Sequence, residues 1–208
     1  MDWFEEMEKK KPTRKEKGER TRKELFDAAM SLYTKKGYER VTVEDICAKA
    51  GVSKGAFYTH FMSKDQVVLE TFLKADDFYR EVFPQLDQEK SCIDKLRAFG
   101  RLAMGNIVNQ GPMVIRVSYY GQIAPGRENA PIASRERPLY KLTEQLIREG
   151  QEKGEIRADI PSAAITEIVI HAIRGIVYDW CLQQGEFDLE ECGGILFQML
   201  LEGLQSPH

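Results

Sequence analysis

The sequence contains no uninterrupted apolar run of the roughly 18 residues that a membrane-spanning helix needs. Its most apolar stretch, AAITEIVIHAIRGIVYDW at residues 163–180, is broken by Glu167, His171, Arg174 and Asp179, so no membrane partner is expected. The opening residues, MDWFEEMEKKK, begin acidic and lack the apolar segment of a secretory signal. A cytoplasmic location is the resulting expectation. Cysteine is scarce: Cys47, Cys92, Cys181 and Cys192 are widely spaced, without a CxxC pair. That spacing argues against a zinc site or a disulfide framework and leaves small buried thiols as the simplest reading. Proline is limited to eight residues, and strand-like patterning to the brief run MVIRVSYY at residues 113–120. No internal repeat is visible. The absences leave an all-α chain.

Charge is unevenly placed. The net charge of −3 argues against an anionic partner for the whole chain, but residues 9–64 carry 15 Lys+Arg against 7 Asp+Glu, and residues 65–208 carry 15 against 22. A basic first third joined to an acidic remainder points to an anionic partner for the first part alone. Residues 1–18 lack periodicity and read as a flexible basic arm. From Thr21 a helical period appears, with Leu25, Ala28, Ala29, Leu32 and Tyr33 on one face, ending at Lys35, Lys36 and Gly37. Thr42, with Asp45 three residues on, caps a short second helix over 43–50. Gly51 permits a reversal, Ser53 caps a third helix reaching His60, and Ser63 with Gln66 opens a fourth. Two very short helices joined around a glycine have the shape of a helix-turn-helix, although helical hairpins are also common in other all-α proteins. A domain over 19–65 and a larger one over 66–208 follow. Helices are expected at about 63–87, 91–109, 112–123, 134–153, 161–184 and 188–205.

The stretch GVSKGAFYTHFMSKD at residues 51–65 carries the chemistry. It is no phosphate-binding loop of the GxxxxGK[ST] type, and no strand precedes it. Ser53 and His60 lack a third orienting residue, so no catalytic residue is assigned. His60 has no partner at metal-ligand spacing, and neither metal nor cofactor is expected. Laid in a DNA major groove, a helix from Ser53 fits better. Lys54 reaches a guanine edge or a phosphate, Gly55 lets the backbone approach, and Ala56 can meet a thymine methyl. Tyr58, Thr59 and His60 lie one turn on, within reach of phosphate oxygens, as does Lys64. Phe57 and Phe61 would pack inward.

TRKELFDAAMSLYTKKGYERVTVEDICAKAGVSKGAFYTHFMSKDQVVLE, residues 21–70, resembles the DNA-binding domain of the TetR family of transcriptional regulators. The resemblance rests on AA in the first helix, KKGY, the ordered run from TV to AKAGVSKGAFY-HF, and SKD. Cys47 stands where the family commonly has alanine, and Val67–Val68 where leucine is usual. The resemblance implies a homodimer on a palindromic operator in double-stranded DNA. It places base contacts on Lys54, Gly55 and Ala56, and phosphate contacts on Thr42, Ser53, Tyr58, Thr59, His60 and Lys64. Arg20, Arg22 and the basic arm are further candidates for DNA contact.

For the larger domain the resemblance implies ligand binding and dimerisation. The ligand candidates are Phe72, Tyr79, Phe83, Phe99, Met104, Tyr119, Tyr120, His171 and Tyr178, and their aromatic character suggests a small apolar or aromatic effector. Glu167, His171, Arg174 and Tyr178 form a polar stripe on an otherwise apolar helix, either a surface ladder or the few polar handles of a pocket. Ile165, Val169, Ile173, Ile176, Ile195 and Met199 are the interface candidates, with burial in their own chain as the alternative. The expected function is a ligand-responsive repressor and not an enzyme. The alternative is a DNA-binding protein with an architectural role or under control of a protein partner.

Overall fold

The structure, a computed structural model, describes residues 13–89, 91–123 and 131–205, and the side chains of residues 72, 121, 123 and 131 fall outside the description. The chain divides into two compact units, Met1–Val67 and Val68–His208.

In the first unit Thr13 starts helix α1 (Arg14–Lys36). Its hydroxyl accepts from the Glu16 N–H at 3.2 Å, while Glu16 accepts from the Thr13 N–H at 2.6 Å. This reciprocal cap satisfies two otherwise orphaned donors. It corrects the expected arm: residues 14–18 are helical, because the cap nucleates turns that have no apolar periodicity to announce them. Residues 1–12 of that arm lie outside the described residues. Leu25, Ala28, Ala29, Leu32 and Tyr33 are buried as their spacing requires.

Helix α2 (Val43–Ala50) carries the full Thr42–Asp45 capping box. It stops at Gly51, whose φ of +69° and ψ of 30° lie in the left-handed region that glycine enters without a Cβ penalty. Ser53 then caps α3 (Lys54–His60), its Oγ accepting from the Ala56 N–H at 3.1 Å. Phe57 and Phe61 are 0% and 1% exposed, so the aromatics of the opening motif divide as their spacing implied. Arg22 on α1 donates to the His60 carbonyl at 3.0 Å and lies over the Phe61 ring. Cys47, Val67 and Val68 are buried, so all three departures from the family pattern are core positions.

Helix α4 (Lys64–Val82) begins in the first unit, and its remainder belongs to the second. It ends earlier than its apolar pattern suggested. Residues 83–88 form a 3-10 turn because Pro84 lacks an N–H and disfavours α geometry in the residue before it. The second unit adds α5 (Cys92–Gln110), α6 (Pro112–Ile123), α7 (Pro138–Glu152), α8 (Ser162–Leu182) and α9 (Leu189–Leu204). Helix α7 starts at Pro138 rather than near residue 134, since proline suits a first helical turn and holds Arg137 extended. Helix α5 packs on α7 and α9, and α8 on α6, α7 and α9. Leu96, Leu146, Ile147, Ile165, Val169 and Leu201 share their core. Among the described residues the only β feature is an isolated bridge between Ile156 and Gln205, so the fold is all-α. No described helix is long and apolar enough to cross a membrane. Burial pushes the Cys181 thiol up to about 11, which makes it an unreactive thiol at neutral pH.

Candidate nucleic-acid interface and ligand cavity

The first unit exposes one end of α3. Lys54 and Gly55 are exposed and Ala56 is half-buried. Around them Thr42, Ser53, Tyr58 and Thr59 are exposed, and His60 and Lys64 half-buried. Several of these side chains also shape the motif. The Thr42 and Ser53 hydroxyls cap their helices, and Thr59 donates to the Gly55 carbonyl at 2.9 Å. Lys64 donates to the Tyr38 and Val41 carbonyls at 3.1 and 3.2 Å, with its ammonium 4.4 Å from the centre of the Tyr38 ring. Its ammonium ties the connection between α1 and α2 to the start of α4, a structural task that the sequence did not announce. Arg22 is similarly engaged with His60 and Phe61, and Arg20 pairs with Glu24.

Lys54 has a partner that sequence reasoning missed. Its ammonium forms an ion pair with Glu44 in the first turn of α2. The pair lowers the Glu44 carboxyl below its usual range and raises Lys54, through the hydrogen bond and the opposite charge. A signal for it existed: the two residues stand at the starts of consecutive short helices joined by one tight turn.

The second unit encloses a cavity of about 90 Å³. Helices α4 to α8 line it, mostly with apolar groups such as Ala75, Ala103, Ile107, Ile115, Ile170 and Val177. Thr71 and Ser118 meet there through a 2.9 Å hydroxyl contact. Tyr79, Gln110, Tyr119, Arg137 and Arg174 also reach the wall. Burial pushes the Tyr119 phenol up to about 12, and it also raises Tyr79. Both are therefore neutral O–H groups. Arg137 is 9% exposed and grips Asp76, 7% exposed, with Nε and Nη2 at 2.8–3.3 Å.

This cavity takes in Tyr79 and Tyr119 from the expected ligand residues and leaves most others out. Phe83, in the 3-10 turn after α4, meets Phe99 of α5 edge to face at the main core, and Met104 packs with Trp180 and Leu189. Their aromatic or flexible bulk fills the protein itself. Tyr120, His171 and Tyr178 are exposed, since their helical phase turns them away from the cavity. The Phe72 side chain lies outside the described residues.

The interface candidates divide in the same way. Ile165 and Val169 are 1% and 2% exposed in their own core and offer a partner nothing. Ile173 lines the cavity and Ile176 is half-buried beside the Trp180 cluster. Ile195 and Met199 remain, 57% and 66% exposed, joined by Ile168, Tyr178 and Leu182.

A helix-turn-helix with an exposed basic end, followed by a helical unit around a cavity, defines a class: a DNA-binding regulator with a sensing domain. Comparison with known proteins names the lineage. Residues 25–71 match the family described as "Bacterial regulatory proteins, tetR family", and residues 89–204 match "Tetracyclin repressor-like, C-terminal domain". The chain belongs to the TetR family. It is accordingly a DNA-binding transcriptional regulator and not an enzyme. Among its relatives is the HTH-type transcriptional repressor DhaR of Mycobacterium sp. (strain GP1), 25% identical over 198 residues, covering 89% of this chain and 94% of DhaR. Similar crystal structures include the MbdR regulator of Azoarcus sp. CIB, at TM-score 0.68 and 26% identity over 88% of this chain and 98% of that one. The Thermus thermophilus repressor FadR in complex with lauroyl-CoA shares the fold at TM-score 0.67 and 22% identity, covering 90% and 96%.

Proposed function

We propose that the protein is a repressor that binds a palindromic operator as a homodimer and is released by a small effector held in the cavity of the second unit. The cavity carries this reading, because it is mostly apolar with a few convergent polar groups, the composition of a small-molecule site. It also favours effector control over a purely architectural role. The similar FadR structure holds a ligand, lauroyl-CoA, which is consistent with a sensing role for this helical domain.

The cavity, at about 90 Å³, is smaller than the roughly 150 Å³ that accommodates benzene in an apolar protein interior. An effector larger than this would widen it and move part of its lining. Thr71, Ala75 and Tyr79 of that lining belong to α4, the helix whose first residue follows the DNA-binding motif. Effector binding would thus favour an α4 position in which the two reading helices no longer match successive major grooves, a population shift between two conformers.

Selection of bound duplexes from a random DNA pool is expected to return a palindrome with half-sites about 34–36 Å apart. Ligands that enter the cavity should release that duplex in an anisotropy titration. A sequence-blind pool, or cavity ligands that bind without changing operator affinity, would count against the reading.

For the dimer, the exposed apolar groups of α8 and α9 form the candidate surface, self-complementary under a two-fold axis. Light scattering should give a dimer mass for the wild type at micromolar concentration and a monomer mass for Ile195→Arg/Met199→Arg. A monomeric wild type would sink the dimer.

A further inference from the structure

Arg174 stood in the sequence as one member of a polar stripe, and the structure separates it from the others. Glu167 pairs with Arg135, and His171 and Tyr178 face outward. Arg174 instead lines the cavity. Its guanidinium lies 5.3 Å from the centre of the Tyr140 ring, and Nη2 donates to the Ile132 carbonyl. Arg137 Nη1 approaches that same carbonyl oxygen at 3.5 Å. Two guanidiniums thus converge on one backbone oxygen.

Their charges are not equally matched. Arg137 is held in a two-pronged contact by Asp76. Among the described residues no carboxylate lies within ion-pair distance of Arg174. Among the described residues, Arg137, Asp76 and Arg174 together leave one positive charge at the cavity wall. Arg137 and Arg174 both act on the Tyr79 and Tyr119 phenols in the direction opposite to burial, so positive charge is felt at the cavity wall. A cation beside an apolar cavity is costly unless paired, and a guanidinium fork already fixed by a ring and a carbonyl loses little further freedom on pairing.

We infer that the effector is an amphipathic monoanion, an apolar body carrying one carboxylate, and that Arg174 holds the carboxylate. A planar carboxylate matches the guanidinium fork, and a single negative charge balances the single unmatched positive one. A phosphate monoester would bring close to two negative charges at neutral pH. Tyr119, a neutral phenol on the same cavity wall, is a candidate second donor, while the isoleucines and alanines take the body. The inference deepens the effector reading above and rests on it.

The test compares butanoate, hexanoate, octanoate, benzoate and phenylacetate with their corresponding alcohols, by calorimetry and by release of operator DNA. Wild type should bind its best carboxylate at least about tenfold more tightly than the matching alcohol. Arg174→Gln should lose that preference, and Arg174→Lys should keep part of it. A reading that needs no folded Arg174→Gln comes from side-chain NMR. The Arg174 Nε–H resonance, assigned through Arg174→Lys, should move with carboxylate and not with alcohol. Equal or tighter binding of the alcohols, an unchanged preference in Arg174→Gln, or failure of every carboxylate to bind would overturn the inference. Alcohols that bind and release the operator as well as the carboxylates do would leave the effector reading standing and remove the charge assignment. Carboxylates that bind through Arg174 while the operator stays bound would do the reverse.

Discussion

Asp76→Ala should destabilise the second unit by about 3–5 kcal/mol, the usual cost of leaving one member of a buried ion pair alone. Asp76 and Arg137 are 7% and 9% exposed and meet through three contacts between 2.8 and 3.3 Å. Removing the carboxylate strands a guanidinium that cannot neutralise itself by losing a proton. The contact of Arg137 to the Ile132 carbonyl, at 3.5 Å, is too long to compensate. Chemical denaturation with fluorescence detection would show the loss as a lower midpoint. The double change Asp76→Leu/Arg137→Met should recover most of it, because an apolar pair of similar volume avoids the desolvation cost that the ions carry. A single variant that unfolds within about 1 kcal/mol of wild type would mean that water reaches the pair and screens it.

That pair also marks the boundary of what the sequence discloses. Helix periods and caps are local, and they placed α2, α3, α5 and α6 closely. The errors fall where local signals competed. Apolar spacing carried α4 past Pro84, and the lack of apolar spacing hid the Thr13 cap that starts α1. Site residues followed the same rule. The exposed end of α3 was legible because its residues are consecutive. The cavity was not, because it is assembled from five helices and depends on helical phase. Tyr119 lines it while Tyr120, its neighbour in sequence, is 39% exposed. Asp76 and Arg137 are 61 residues apart, and nothing in either neighbourhood points to the other.

Lys54→Ala is expected to weaken operator binding by about 5- to 150-fold and to relax preference at one base position, the range for a specific charged contact to a base edge. The Glu44 pair makes a second result predictable from the same contact. Lys54 must leave Glu44 before it can touch DNA, and the carboxylate then stands near the phosphates as a repulsive charge. Glu44→Ala should therefore tighten binding, by up to about fivefold, since exposed ion pairs are weak competitors. The gain should be similar for cognate and non-cognate DNA, since the pair opens and the carboxylate meets backbone charge in both. Glu44 would in this way lower affinity for every duplex alike, while Lys54 supplies the discrimination because only the operator offers it the right base edge. Anisotropy titrations of both variants against operator and scrambled duplex, across a salt series, separate the effects. Lys54→Ala should narrow the ratio between the two duplexes by loss on the operator, and Glu44→Ala should tighten both and leave the ratio nearly unchanged. If Glu44→Ala weakens both duplexes, the carboxylate is a positioning partner that presents Lys54 to the groove, and the competition argument fails.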